Sequence, residues 1–409
     1  MDLATIARIF DETAYVRTSG TAAEKKCAEY IQAACTSFGG NAFLEPFSVD
    51  MSTIHSASLT INGKQIPCKG YLCAGSHQVE APLFYLTDNC TYSLEQCAGK
   101  IVMIDGYLRY WRYQDLLKYG AVGFITYDGN INYADNNIDQ RELRKFVSNG
   151  NLLPGVNINA KDAIEIIAQG GGIASITLQQ EMYSSDSHNV ILDLPGERPE
   201  YIVLTAHYDT TSLSQGAYDN MSGVIGLLSM AESYITKPHK YGLRFIWCGS
   251  EERGLLGSKA YCAAHKDQLE NIVLNINLDM IGCIMGTFHV RCTCEEKAVG
   301  YAQYLASELG FGCSVLQGVS SSDSSVFADN NVPAITFFRS APANVGTIHD
   351  SYDTKALMSP QQMQKDIAFI EAFLDRVVNA FNCPVSREIP DNMREKLDEY
   401  FFRKKPKNT

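Results

Sequence analysis

Two histidines and several carboxylates in the second half of this chain stand where a divalent cation would find ligands. Residues 201–206 are an apolar run that ends in His207 and Asp209. Residues 243–248 run into Glu251 and Glu252, and residues 272–278 into Asp279. A carboxylate isolated at the end of a buried strand is costly, and a cation is its natural partner. Asp219 adds a further carboxylate from the Gly-rich word GAYDNMSG at 216–223, which opens an apolar helix. His349 adds a second imidazole from the loop IHDSYDT at 348–354.

The spacing refines the chemistry. His207 and Asp209 lie two apart, so on extended chain they point the same way. Asp209 can then hold the ring nitrogen that His207 does not give to a metal. Adjacent glutamates can aim at different targets, one at a metal and the other at the water beside it. A helix cap for Asp219 and a turn role for Asp279 are the structural alternatives. Mixed imidazole and carboxylate ligation suits zinc, and manganese or cobalt less well. The set His207, Asp219, Glu252, Asp279 and His349 exceeds one tetrahedral zinc. It fits two zinc ions sharing a carboxylate.

These side chains need a rigid rim. Near-continuous apolar runs read as strands buried on both faces, which implies an α/β fold with a mostly parallel sheet and helices on each side. Ligands of such sheets bind at the carboxyl ends of the strands. From about Ser56 to Tyr183 the texture changes to short strand-like runs separated by turn signals. Residues 55–184 therefore read as a small β-rich module inserted into a discontinuous domain formed by 1–54 and 185–385. Residues 386–409 read as a charged helix followed by a solvated tail.

Composition excludes some classes. The net charge of -12, from 46 acidic and 34 basic residues, argues against nucleic acid as a partner. No apolar run is long enough to span a membrane. Residues 1–8 lack a basic segment followed by an apolar one, so a cytoplasmic location is the expectation. The 13 cysteines read as free thiols, since Cys292 and Cys294 lack a second pair at zinc-finger spacing. A homo-oligomer is compatible with all of this.

The ordered words HYD, GAYDNMSG, SEERGLLGS, NLDMIG and IHDSYDT resemble the co-catalytic di-zinc exopeptidases. That family includes secreted bacterial leucine aminopeptidases and folate-type glutamate carboxypeptidases. Arg17-Thr18-Ser19-Gly20 with Glu24 is similar to the family's N-terminal motif. Residues 99–102 and 153–156 resemble words of a protease-associated domain. The resemblance implies that one zinc takes His207 and Asp279, the other Glu252 and His349, with Asp219 shared. It implies hydrolysis of peptides from the amino end, with Glu251 as general base and a cis peptide after Asp219. Asp209 and Asp353 would support the ligands. Arg339 and Asp323 are candidates for contact with the substrate's chain end. Two positions depart from the pattern: Ile348 stands where the aminopeptidases often have Tyr, and Ser324 where they have His. A carboxypeptidase or dipeptidase, a receptor that has lost activity, and a single-zinc glutaminyl-cyclase-like transferase are the competing readings.

Overall fold

The computed structural model describes residues 1–129, 131, 138–343 and 345–406. They form two compact units, Met1–Val49 with Asp186–Thr409, and Asp50–Ser185.

The first unit is built on a mostly parallel sheet. Tyr201–His207 lies between Gly242–Cys248 and Ile272–Leu278, parallel to both. Ala334–Ser340 extends the sheet in parallel beyond Ile272–Leu278. Thr287–Thr293 then pairs antiparallel, and Ser314–Gln317 parallel to it forms the edge. On the other side, Gly242–Cys248 pairs antiparallel with the end of Ile173–Leu194.

Side chains along these strands alternate between two buried faces. Ile202, Leu204, Ala206, Phe245 and Trp247 point into one core, packed by helices Leu3–Thr13, Ala22–Ser37, Ser222–Tyr234 and Pro360–Val378. Val203, Ile246 and Cys248 point into the other, packed by Leu256–Ala264 and Ser324–Asp329. Both faces are covered, which is why these strands carry so few polar residues.

The helix Leu3–Thr13 was not legible as such at the sequence level, although Ile6, Ile9, Phe10 and Thr13 follow helical spacing and are its buried residues. The C-terminal segment forms the expected charged helix, with Arg403, Lys404 and Lys405 exposed beyond it. Helix Asp391–Tyr400 buries Met393 and Leu397 against Ala328 and Ala334. Arg403 pairs with Asp329 and Asp398, and Lys404 with Glu395.

The second unit carries four parallel strands, His77–Leu86, Ile101–Ile104, Gly123–Asp128 and Gly155–Asn159. Cys68–Gly70 pairs antiparallel at the end. The unit is less purely β than its texture suggests, since helices Tyr110–Lys118 and Ala160–Ala168 belong to it. The chain passes between units inside the long strands Phe43–Ile61 and Ile173–Leu194. A boundary inside a continuous strand leaves no turn signal, so the change of texture at Ser56 comes several residues after it.

Candidate metal centre

Three parallel strands end on one rim of the sheet, and their register sets the site. His207 closes its strand opposite Cys248, and Asp279 follows Ile272–Leu278 directly. Gly249 and Ser250 turn the chain so that Glu251 and Glu252 come next. Asp219 lies in Ala217–Met221, ahead of helix Ser222–Tyr234, and its peptide bond to Asn220 is cis. His349 lies beyond Ala334–Ser340 with φ 65°.

The five ligand candidates converge. His207 Nε2 is 3.0 Å from Asp219 Oδ1 and 3.7 Å from Asp279 Oδ1. His349 Nε2 is 3.1 Å from Asp219 Oδ2 and 3.0 Å from Glu252 Oε2. His207, Asp219 and Asp279 offer ligand atoms within 4.8 Å of one another, as do Asp219, Glu252 and His349. Asp219 belongs to both groups, one oxygen to each. Tetrahedral zinc with bonds of about 2.0–2.1 Å has ligand–ligand edges of about 3.3 Å, so the spacing fits such an ion. Asp279 Oδ1 is buried without a hydrogen bond, the state of an atom made to ligate. His349 is the open side of the site, with its side chain 30% exposed against 2% for His207.

Residues 189–373 match the model of peptidase family M28. Aminopeptidase YwaD of Bacillus subtilis (strain 168) is 26% identical over 419 residues, covering 94% of this chain and 86% of that protein. Leucine aminopeptidase 2 of Trichophyton equinum is 26% identical over 240 residues, 55% of this chain and 46% of that one. The structure of BSAP, a zinc aminopeptidase from Bacillus subtilis, superposes with a TM-score of 0.76 at 25% identity. That superposition covers 95% of this chain and 98% of BSAP. Residues 189–373, which hold all five ligand candidates, are thus similar to peptidase family M28.

Around the site the supporting carboxylates hold backbone. Asp209 Oδ1 accepts from Glu251 N at 2.8 Å, and Oδ2 from Glu252 N at 3.1 Å. The same Oδ1 lies 3.5 Å from His207 Nδ1, so the carboxylate that holds the backbone of both glutamates also stands beside the histidine. Asp353 accepts from the N–H groups of Tyr218 and Asp219 and from Ser214 Oγ. Burial pushes its carboxyl up to about 6. Asn220 ties the Asp219 segment to the Asp279 strand, donating to Leu278 O and accepting from Met280 N.

Burial works against ionisation of Asp219, yet hydrogen bonds from His207 and His349 hold its carboxyl well below the usual range. Burial raises the carboxyl of Glu251 well above its ordinary value; His207 opposes the rise and Glu252 adds to it. Burial also raises Glu252, against the charge of His349. This many charged groups in a buried pocket demand compensation, and cations supply it.

Arg339, a candidate for contact with a substrate's chain end, is engaged within the protein. Its Nε and Nη2 grip Asp366 at 2.8 and 2.6 Å, and Nη1 donates to Gly286 O at 2.8 Å. A guanidinium spent on a bidentate pair is not offered to a substrate carboxylate. Asp323 is fully buried and accepts from Ser258 Oγ at 2.5 Å, with burial raising its carboxyl to about 6. It lies within the protein rather than on a surface that a chain end could reach.

Sequence reasoning noted Arg17 only as part of a motif. The residue is fully buried and donates to the carbonyls of Thr13, Tyr15, Tyr208, Gln215 and Gly216. It thus clamps both ends of the loop between His207 and Asp219. Each buried acceptor left unsatisfied costs about 1–3 kcal/mol. Arg17→Met is therefore expected to cost about 3 kcal/mol or more, read as a lowered urea midpoint of the zinc-loaded protein. An unchanged midpoint would refute the clamp.

Proposed function

We propose that this chain is a zinc aminopeptidase that works with two zinc ions and removes residues from the free amino end of peptides. The observation that carries the reading is Asp219, whose two oxygens each face a separate group of ligands on one strand-end rim. His207 and Asp279 would complete one site, and Glu252 and His349 the other. When bound, zinc polarises a carbonyl and makes water ionisable near neutral pH.

The rest of the reaction falls to side chains of the protein. Glu251 stands beside both ligand groups and belongs to neither. Its backbone is fixed by Asp209. It is placed to take a proton from water and return it to the leaving amine. The acidic rim suits a substrate ammonium group. Arg339, the candidate reader of an α-carboxylate, is committed to Asp366. Both points favour an aminopeptidase over a carboxypeptidase. The unit Asp50–Ser185 is proposed as the protease-associated insertion. Among the described residues, no helix is long and apolar enough to cross a membrane.

Zinc content by plasma mass spectrometry, with hydrolysis of leucine p-nitroanilide and its N-acetyl form, tests the proposal. Two zinc ions per chain and cleavage of the free-amine substrate alone are expected. Cleavage only of N-blocked peptides with free carboxyl ends would indicate a carboxypeptidase. One zinc with cyclised glutaminyl products would indicate a transferase.

A further inference from the structure

The turn that carries Glu251 is anchored from the far end of the chain. Glu24 lies in the first turn of helix Ala22–Ser37, whose N-cap is Thr21. Thr21 Oγ1 accepts from Glu24 N, and Glu24 Oε2 accepts from Gly20 N at 2.6 Å. That pair is a variant of the capping box, in which the N3 carboxylate takes the N–H of the residue before the N-cap, and it occupies one carboxylate oxygen.

The other oxygen does something capping does not require. Glu24 Oε1 accepts from Ser250 N at 3.0 Å, Ser250 Oγ at 3.1 Å and Ser187 Oγ at 2.8 Å. Ser19 Oγ lies 2.5 Å from Ser250 Oγ, and Ser187 Oγ 2.8 Å. Glu24 is 1% exposed, and Ser187 and Ser250 are fully buried. Ser250 has φ 59°, a left-handed conformation that non-glycine residues adopt only when held there. The next residue is Glu251, whose own N–H is held by Asp209. Two carboxylates thus fix consecutive peptide groups of one turn, Glu24 at residue 250 and Asp209 at residues 251 and 252.

We infer that Glu24 is a positioning residue for Glu251: it holds Ser250 in the left-handed turn that aims the general base. The inference rests on the role proposed for Glu251, and it assigns the N-terminal motif a part in the reaction beyond starting a helix. A base displaced by a fraction of an ångström loses rate and not substrate affinity.

Glu24→Gln tests this with little change of volume. Each oxygen of Glu24 takes one backbone N–H, from Gly20 or Ser250, and a glutamine can accept only one of them through its single oxygen. The zinc-loaded variant is expected to keep its zinc and its KM within about twofold, and to lose about 10- to 100-fold in kcat per loaded site. Thr21→Ala is the control. It removes the cap from the same helix without touching Ser250, and kcat per loaded site is expected to stay within twofold of wild type. A Glu24→Gln enzyme with wild-type kcat per loaded site would overturn the assignment. If that variant does not fold, Ser187→Ala loosens the same oxygen. A several-fold fall in its kcat supports the assignment, and an unchanged value overturns it. The crystal structure of Glu24→Gln separates this idea from the function itself. Ser250 and Glu251 in their wild-type places would end the positioning role even in an active peptidase. Their displacement would sustain it whatever substrate the wild-type chain prefers.

Discussion

Glu251→Gln is expected to retain its full zinc content and lose about 10³- to 10⁴-fold in kcat, toward the upper end of what one general acid–base group contributes. The geometry explains why rate and metal should separate. Glu251 and Glu252 are neighbours in sequence, but only Glu252 belongs to a ligand group, with Oε2 3.0 Å from His349 Nε2. Glutamine keeps the shape and the backbone N–H that donates to Asp209, so the turn survives. What it lacks is a site for the proton. Glu252→Gln should behave differently, weakening metal retention together with rate. Steady-state kinetics paired with zinc analysis on both variants checks this. A fully loaded Glu251→Gln enzyme with near wild-type kcat would remove Glu251 from the base role.

Four of the site residues legible in the sequence share one physical property. His207, Glu251, Glu252 and Asp279 follow apolar runs, and a parallel sheet buried on both faces brings such ends to one rim. The local word therefore carried both the fold and the placement. Asp353 came from the resemblance as support for the ligands, and its contacts are with the backbone of Tyr218 and Asp219. What stayed hidden depends on partners far along the chain. Nothing near Arg339 in sequence announces Asp366, and nothing near Glu24 announces Ser250. The packing of Met393 and Leu397 was masked by the charges around them, which sit on the outer face of a short amphipathic helix. The domain boundary was blurred for the opposite reason: strands that continue through it carry no punctuation.

Chelation should produce the second large effect, and its pH dependence is the sharper test of a cation shared through Asp219. Stripping zinc is expected to abolish hydrolysis and lower Tm, since an ion bound only by the folded state adds about 2.7 kcal/mol at a hundredfold excess over Kd. In the stripped protein the cluster must compensate itself. Burial raises the carboxyls of Glu251 and Glu252. Burial disfavours the charged forms of His207 and His349, but the surrounding acids together outweigh it, Glu251 with Asp209, Asp219 and Asp279 at His207 and Glu252 with Asp219 at His349, and both imidazoles end well above their ordinary range. All four groups thus have folded values above their unfolded ones. Such a group contributes stability that is fully present below its unfolded value and is lost as pH rises through its folded value. Asp219 moves the other way: its contribution is present above its ordinary range and fades only as pH falls through its lowered folded value. The stripped protein should therefore lose stability as pH climbs from about 4.3, the unfolded glutamate value, and on past about 6.5, the unfolded histidine value. Zinc takes deprotonated ligands and replaces those protons, so the loaded form does not follow the same slope. Calorimetric Tm values of loaded and stripped protein should consequently move apart between about pH 5 and about pH 8. A separation that stays constant over that range would mean that these side chains do not titrate around a common cation, and the arrangement built on Asp219 would fall with it.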